Sequence, residues 1–213
     1  MSSSTEPQAP PTRGRPQRHD DAQILTAALA AFADAGYEAM SIRSLGRDLG
    51  LSHGALNQRF GSKDRLFYAA VDHGFGSMAA DLAGHLSDGA PSEDPTDVLR
   101  DGIRAFLLAS SRHPELVRLM NTLGITDSER LGYVFDRFVE PLVTPLRQAL
   151  VESEPTAHGQ MTTRELFFLI AHGAAAPFTL RGLSDRFDAT DGPLDPEPFA
   201  DHMAEILLRT LGR

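Results

Sequence analysis

Around residue 55 the chain gathers side chains whose chemistry suits the edges of nucleic-acid bases: Ser52, His53, Gly54, Asn57, Gln58 and Arg59. An amide such as Asn57 or Gln58 pairs bidentately with adenine, and a guanidinium such as Arg59 pairs with guanine or phosphate. Leu51, Ala55, Leu56 and Phe60 recur between them at helical spacing, so the polar group forms the outer side of a short amphipathic helix. No comparable set suggests catalysis. The chain has no H-E-x-x-H, no G-x-S-x-G, no P-loop and no G-x-G-x-x-G after a strand. Its Gly74-to-Gly76 pair falls inside a predicted helix. No catalytic residue, metal site or cofactor is expected.

The elements that must position this helix are legible from caps and periodicity. A first helix is predicted from about Asp20 to Ala35, with Ile24, Leu25, Ala28, Leu29 and Phe32 on one face and Gly36 at its end. Ser41 caps a second, whose inward residues are Ile42, Leu45 and Leu49, and Gly50 supplies the turn. Ser52 caps the third, and Ser62 caps a long fourth helix carrying Phe67, Val71, Phe75, Met78 and Leu82. Two short helices joined by Leu49-Gly50-Leu51-Ser52 make a helix-turn-helix, a unit that lays one helix in a major groove about 12 Å wide. Further helices are predicted near 96–111, 114–124, 127–152, 162–183 and 196–211. Kinks or breaks are expected at Pro141, Pro145 and Pro177, which lack a backbone donor. No segment reads as a strand. The expected fold is all-α with about nine helices: a flexible basic arm over 1–18, a three-helix helix-turn-helix DNA-binding domain over 19–66, and a C-terminal helical dimerisation domain over 67–213.

Charge supports that division. The chain carries a net −9, which opposes phosphate binding, yet residues 41–65 hold five basic side chains against two acidic. With a Debye length of about 8 Å at physiological salt, the acidic remainder barely weakens this local patch. Cysteine is absent, which removes disulfides and thiol chemistry and fits the cytosol. No apolar run nears the roughly 20 residues of a membrane span, and MSSSTEPQAPPTRGRP has no apolar stretch like a signal peptide, so a cytoplasmic protein is expected.

The run ILTAALAAFADAGYEAMSIRSLGRDLGLSHGALNQRFGSKDRLFYAAVD at 24–72, preceded by RGRP at 13–16, resembles the TetR family of regulators. The shared features are the first helix, the Gly-Tyr turn, the helix-turn-helix and the S-K-x-x-L start of the fourth helix. The resemblance implies a homodimeric transcription regulator, a repressor by expectation, acting on a palindromic operator in double-stranded DNA under an unidentified small-molecule effector. It implies that Arg43, His53, Gly54, Asn57, Gln58 and Arg59 face DNA and that Lys63 meets a phosphate. The family commonly has Tyr at the position of Asn57 and His at that of Arg59, so an altered backbone contact is expected. Its ligand pocket falls among the middle helices, which makes Phe106, Met120, Phe135, Phe138, Phe168 and His172 candidate ligand contacts; Phe167 and Phe178 add to the aromatic bulk there. Its dimer surface falls on the last two long helices, where Ala174, Ala175, Phe178, Phe199, Met203, Ile206 and Leu207 are candidates. The competing reading is a ligand-independent helix-turn-helix protein, which a solid core among the middle helices would favour.

Overall fold

The computed structural model describes residues 20–87, 92, 94–151 and 161–210. The expected basic arm lies outside them. The described residues form ten helices and no strand. Helix α1 is Asp21–Ala39, α2 Ile42–Asp48, α3 His53–Phe60, α4 Lys63–Ser87, α5 Pro95–Arg112 and α6 Pro114–Leu123. Helix α7 runs through Glu129–Val134, a π-helical turn Phe135–Val139 and Glu140–Val151. Helix α8 is Thr163–Thr179, with its own π turn at Leu169–Ala174; α9 is Arg181–Asp191 and α10 Pro196–Thr210.

Local chemistry sets the ends. Asp20 and Gln23 close a capping box on α1, and the Ser41, Ser52 and Ser62 hydroxyls accept from the backbone N–H of Ser44, Ala55 and Arg65. Gly36 takes φ 75°, ψ 163° and breaks α1 where the sequence pattern ends it; the last three residues resume a helical turn. Gly50, at φ 63°, turns the chain between α2 and α3.

Two apolar clusters hold the helices. The first runs from α1 through Leu45, Leu56 and the inner side of α4 to Leu116 and Leu119 of α6 and Val134 and Val139 of α7. It thus passes the sequence position, 66, at which the helix-turn-helix domain is expected to end. Helices α1, α4 and α6 meet closely at Gly74, where a Cβ would fall 2.4 Å from the Leu29 side chain and 3.1 Å from that of Leu116. The second cluster joins Leu99, Ile103 and Leu107 of α5 to Ile170 and Phe178 of α8 and to Ala204 and Leu207 of α10. Arg100 and Arg104 of α5 reinforce it by pairing with Glu205 and Asp201 of α10.

Pro141 and Pro177 each follow a disturbance of the helical winding, whereas Pro145 sits inside the continuous helical stretch Glu140–Val151, where a kink or break is expected. Glu140 N–H bonds back to Phe135, so the π turn leads directly into Pro141, and Ala175 N–H bonds back to Ile170 just ahead of Pro177. The predicted helix over 162–183 nevertheless ends at Thr179, and the chain bends 74° into α9. No single helix among the described residues is long and apolar enough to cross a membrane.

Candidate nucleic-acid interface and apolar cavity

Helix α3 is pinned by Leu56, which is 1 % exposed, and by partly buried Leu51, Ala55 and Phe60. Its outer side presents His53, Gly54, Asn57 and Gln58 to solvent. A Cβ on Gly54 would meet nothing closer than the Ser52 hydroxyl at 3.9 Å, so the backbone there is open to close approach. Arg43 on α2 is exposed beside it in sequence order, and Ser52, also exposed, has its hydroxyl engaged in the cap. The side chains of Asn57 and His53 lie 3.5 Å apart, at the limit of a hydrogen bond.

Arg59 departs from the expectation that it stands on this outer side. Its side chain is 19 % exposed and its Nη2 pairs with Asp21 of α1 at 3.0 Å. The reason is rotational: at about 100° per residue Arg59 lies only about 60° around the helix from buried Leu56, whereas Gly54 and Gln58 lie nearly opposite it. Lys63 is also engaged. Its Nζ donates to the Glu38 carbonyl at 3.1 Å and sits 4.6 Å from the centre of the Tyr37 ring.

That ring belongs to a network the sequence pattern did not reveal. The Tyr37 hydroxyl donates to Asp64 at 2.7 Å, and Arg130, from the first turn of α7, donates to the same oxygen at 2.9 Å. The Arg130 guanidinium carbon lies 3.2 Å from the Tyr37 ring centre, a cation–π contact. The Tyr37 hydroxyl, and secondarily Arg130, hold the Asp64 carboxyl below its ordinary value. A lowered value in the folded state adds stability above the ordinary carboxylate range and loses it as the pH falls through the folded value. Asp64→Asn is therefore expected to lower the thermal midpoint at pH 7, with the difference from the wild type shrinking as the pH falls below the ordinary carboxylate range. A gap that persists undiminished at acid pH would show that the charge is not what stabilises.

Between α4, α5, α6, α7 and α8 the structure is hollow. A chamber of about 90 Å³ is walled by Phe75, Met78, Phe106, Met120, Phe138 and Phe167 among others. A second hollow of about 300 Å³ shares Leu82, Phe106, Leu142 and Phe167 with it and reaches Leu86, Val98 and Pro145. A third, of about 670 Å³, shares Met120, Val139, Phe167 and His172 and reaches Asn121, Glu140, Arg147 and Arg164. Two of these volumes fall in the range of roughly 300–1,000 Å³ typical of small-molecule sites, and the lining is mostly apolar as such sites require.

Of the candidate ligand contacts, Phe106, Met120, Phe138 and His172 wall the central chamber. Phe135 and Phe168 are 44 % and 55 % exposed and stand at the rim of the third hollow. Phe167, common to all three, is the wall that its neighbour was expected to be. His172 stacks on Phe168 with ring centres 4.9 Å apart, and burial pushes its imidazole below the ordinary histidine value, so it is neutral at pH 7. No hydrogen bond from a described residue reaches it.

The candidate dimer residues divide. Ala174, Ala175, Phe178 and Leu207 are buried inside the chain's own second cluster and are corrected to core, because α8 and α10 turn these stripes toward α5. Phe199 and Met203 pack partly on the same cluster, and Ile206 is 38 % exposed. The large apolar side chains exposed nearby are Leu180, Leu183 and Phe187 of the α8–α9 bend, beside a groove that also takes in Phe199 and His202.

Residues 24–70 match the family model described as bacterial regulatory proteins, tetR family. Over 94 residues the chain is 33 % identical to the HTH-type transcriptional repressor BdcR of Escherichia coli K12, a match that takes in 44 % of this chain and 48 % of that protein. The chain thus aligns with about half the length of the curated relatives it matches. Its fold is that of AibR, solved in complex with isovaleryl coenzyme A and operator DNA, at a TM-score of 0.62 and 19 % identity over 86 % of this chain and 95 % of that one. It is also that of FadR from Bacillus subtilis in complex with stearoyl-CoA, at 0.58 and 15 % over 87 % and 96 %. Residues 24–70 thus match the tetR family of bacterial regulatory proteins, and the all-α architecture built on them is shared with these solved structures.

Proposed function

We infer that the chain is a DNA-binding transcription regulator, acting as a two-fold dimer in the cytoplasm and switched by a small molecule, with no enzymatic activity of its own. The observation that carries this reading is the outer side of α3. His53, Gly54, Asn57 and Gln58 are exposed on a helix fixed by Leu56 below and by capped neighbours before and after it. One helix of this length contacts few base pairs, so two copies reading two half-sites are the economical arrangement. The exposed apolar residues Leu180, Leu183, Phe187 and Ile206 supply the surface for the second copy. Arg43 and Lys63 flank α3 for phosphate contacts, and the Arg59–Asp21 pair holds the helix at its angle rather than touching DNA.

The hollow core favours an effector-responsive regulator over a ligand-independent DNA-binding protein. Two proteins of the same fold hold acyl-coenzyme A thioesters, and the apolar lining here suits an acyl chain, so these are the first compounds to titrate. An effector that moves the chain from 1:99 to 99:1 between DNA-free and DNA-binding arrangements needs about 5.5 kcal/mol of differential affinity. The test is selection of genomic fragments on the purified protein, followed by titration of acyl thioesters against the selected duplex. Retention of specific fragments and their release by a ligand is the expected result, and failure to retain any duplex at low salt defeats the reading.

Lys63→Ala is expected to weaken selected and scrambled duplexes by the same factor and to reduce the slope of log affinity against log salt by about one. Filter binding across a salt series reads both quantities. A loss confined to the selected duplex would move Lys63 from backbone to base contact.

A further inference from the structure

The cavity and the outer side of α3 share no residue, so the regulator inferred above needs a part that joins them. Helix α7 reaches the cavity at one end and, at the other, the α1–α4 corner that flanks the helix-turn-helix. Phe138 and Val139, in its π turn, wall the central chamber, and Arg130, in its first turn, is bonded to the α1–α4 corner. Eight residues separate Arg130 from Phe138, about 12 Å of helix at 1.5 Å per residue.

The corner that Arg130 holds is the one that aims the helix-turn-helix. Tyr37 stands directly after the Gly36 break in α1, and Asp64 and Lys63 open α4. Arg130 and Lys63 both lie against the Tyr37 ring, and Tyr37 and Arg130 share one Asp64 oxygen. Three segments far apart in sequence are thus fastened at one point. One donor in the fastening is unsatisfied: the Nε of Arg130 is buried and has no hydrogen-bond partner among the described residues. A buried donor without an acceptor is costly, and release of the guanidinium into water would relieve it. The π turn gives α7 the means to move, because conversion between π and α winding rotates whatever lies beyond it.

We propose that Arg130 is a latch that reports the state of the cavity to the helix-turn-helix. In the empty chain it clamps α7 to Tyr37 and Asp64. A molecule that displaces Phe138 and Val139 rewinds the π turn, withdraws Arg130 and frees the α1–α4 corner. The claim rests on the reading that this chain binds DNA and takes a ligand in its cavity. Arg130 is a positioning residue in it and touches neither DNA nor ligand.

The chain has no cysteine, so Met120→Cys places a single thiol on the chamber wall. Reaction with hexyl methanethiosulfonate then fills the chamber with a short alkyl chain. With Arg130 present, labelling is expected to lower affinity for a selected duplex about tenfold; with Arg130→Met beside Met120→Cys, by less than about twofold. Arg130→Lys, which keeps the charge without the planar stack, should fall between. The chain also has no tryptophan, so Tyr37→Trp supplies one emission signal at the latch, which labelling should change only when Arg130 is intact. Thermal melts confirm that each variant is folded. Equal loss of affinity in the Arg130→Met background overturns the proposal and places the coupling in α6, whose Leu116 touches both the chamber and the α1–α4 contact at Gly74. Unchanged affinity in every background overturns it too. An unlabelled protein that binds no duplex defeats instead the DNA-binding reading on which the latch depends.

Discussion

Replacing Gln58 with alanine is expected to weaken binding to the selected duplex by about 1–3 kcal/mol, roughly 5- to 150-fold, while changing affinity for a scrambled duplex by less than about twofold. The asymmetry follows from where the amide stands. Gln58 is exposed and lies nearly opposite buried Leu56, and no described residue hydrogen-bonds to it, so its pairing capacity is left for a base edge. Alanine at an exposed helical position leaves the fold intact, so the thermal midpoint should hold within a degree or two. Quantitative gel shifts on both duplexes decide the matter. Equal losses on the two would make Gln58 a backbone contact.

The second large effect is on stability. Phe67→Ala is expected to cost about 3–5 kcal/mol, because the site cannot collapse around the missing ring. Phe67 is fully buried and meets Phe32, Tyr37 and Tyr68 edge-on, with ring centres 5.1, 5.5 and 5.4 Å away. It sits on α4 where the helix-turn-helix and the rest of the first cluster join, so the loss is not confined to one end of the molecule. For a chain of this size the midpoint should fall by roughly 6–20 °C. Denaturant unfolding of the two proteins measures the difference, and a loss below about 1 kcal/mol would mean that the aromatic cluster contributes little.

What could be read in advance was what short-range rules determine. The serine caps, the apolar spacing of α1 to α4 and the turn at Gly50 depend on neighbours within four residues, and the structure places them where the pattern did. The chemistry of α3 was legible for the same reason. Arg59 was legible only in part: the helical step puts it about 60° from Leu56, but its partner Asp21 lies 38 positions earlier in the chain. The latch was invisible on the same ground: Arg130 meets Tyr37 and Asp64 only after the fold brings α7 onto α1 and α4. Periodicity announces that Ala174, Phe178 and Leu207 will be buried without saying whether the cover is α5 or a second molecule. Phe167 and Phe168 differ by one step of about 100°, and packing alone puts the first in the wall and the second at the rim. A proline inside a periodic run marks a disturbance, and whether it becomes a π turn or the 74° bend before α9 depends on the neighbouring helices.

The central claim is that the outer side of α3 enters a major groove, and methylation interference addresses it most directly. Dimethyl sulfate marks guanine N7, which projects into that groove. On a selected duplex the marks should block binding at two clusters of guanines spaced by one helical turn, about 10–10.5 base pairs, or a multiple of it. Binding that ignores N7 methylation at every position would contradict the account.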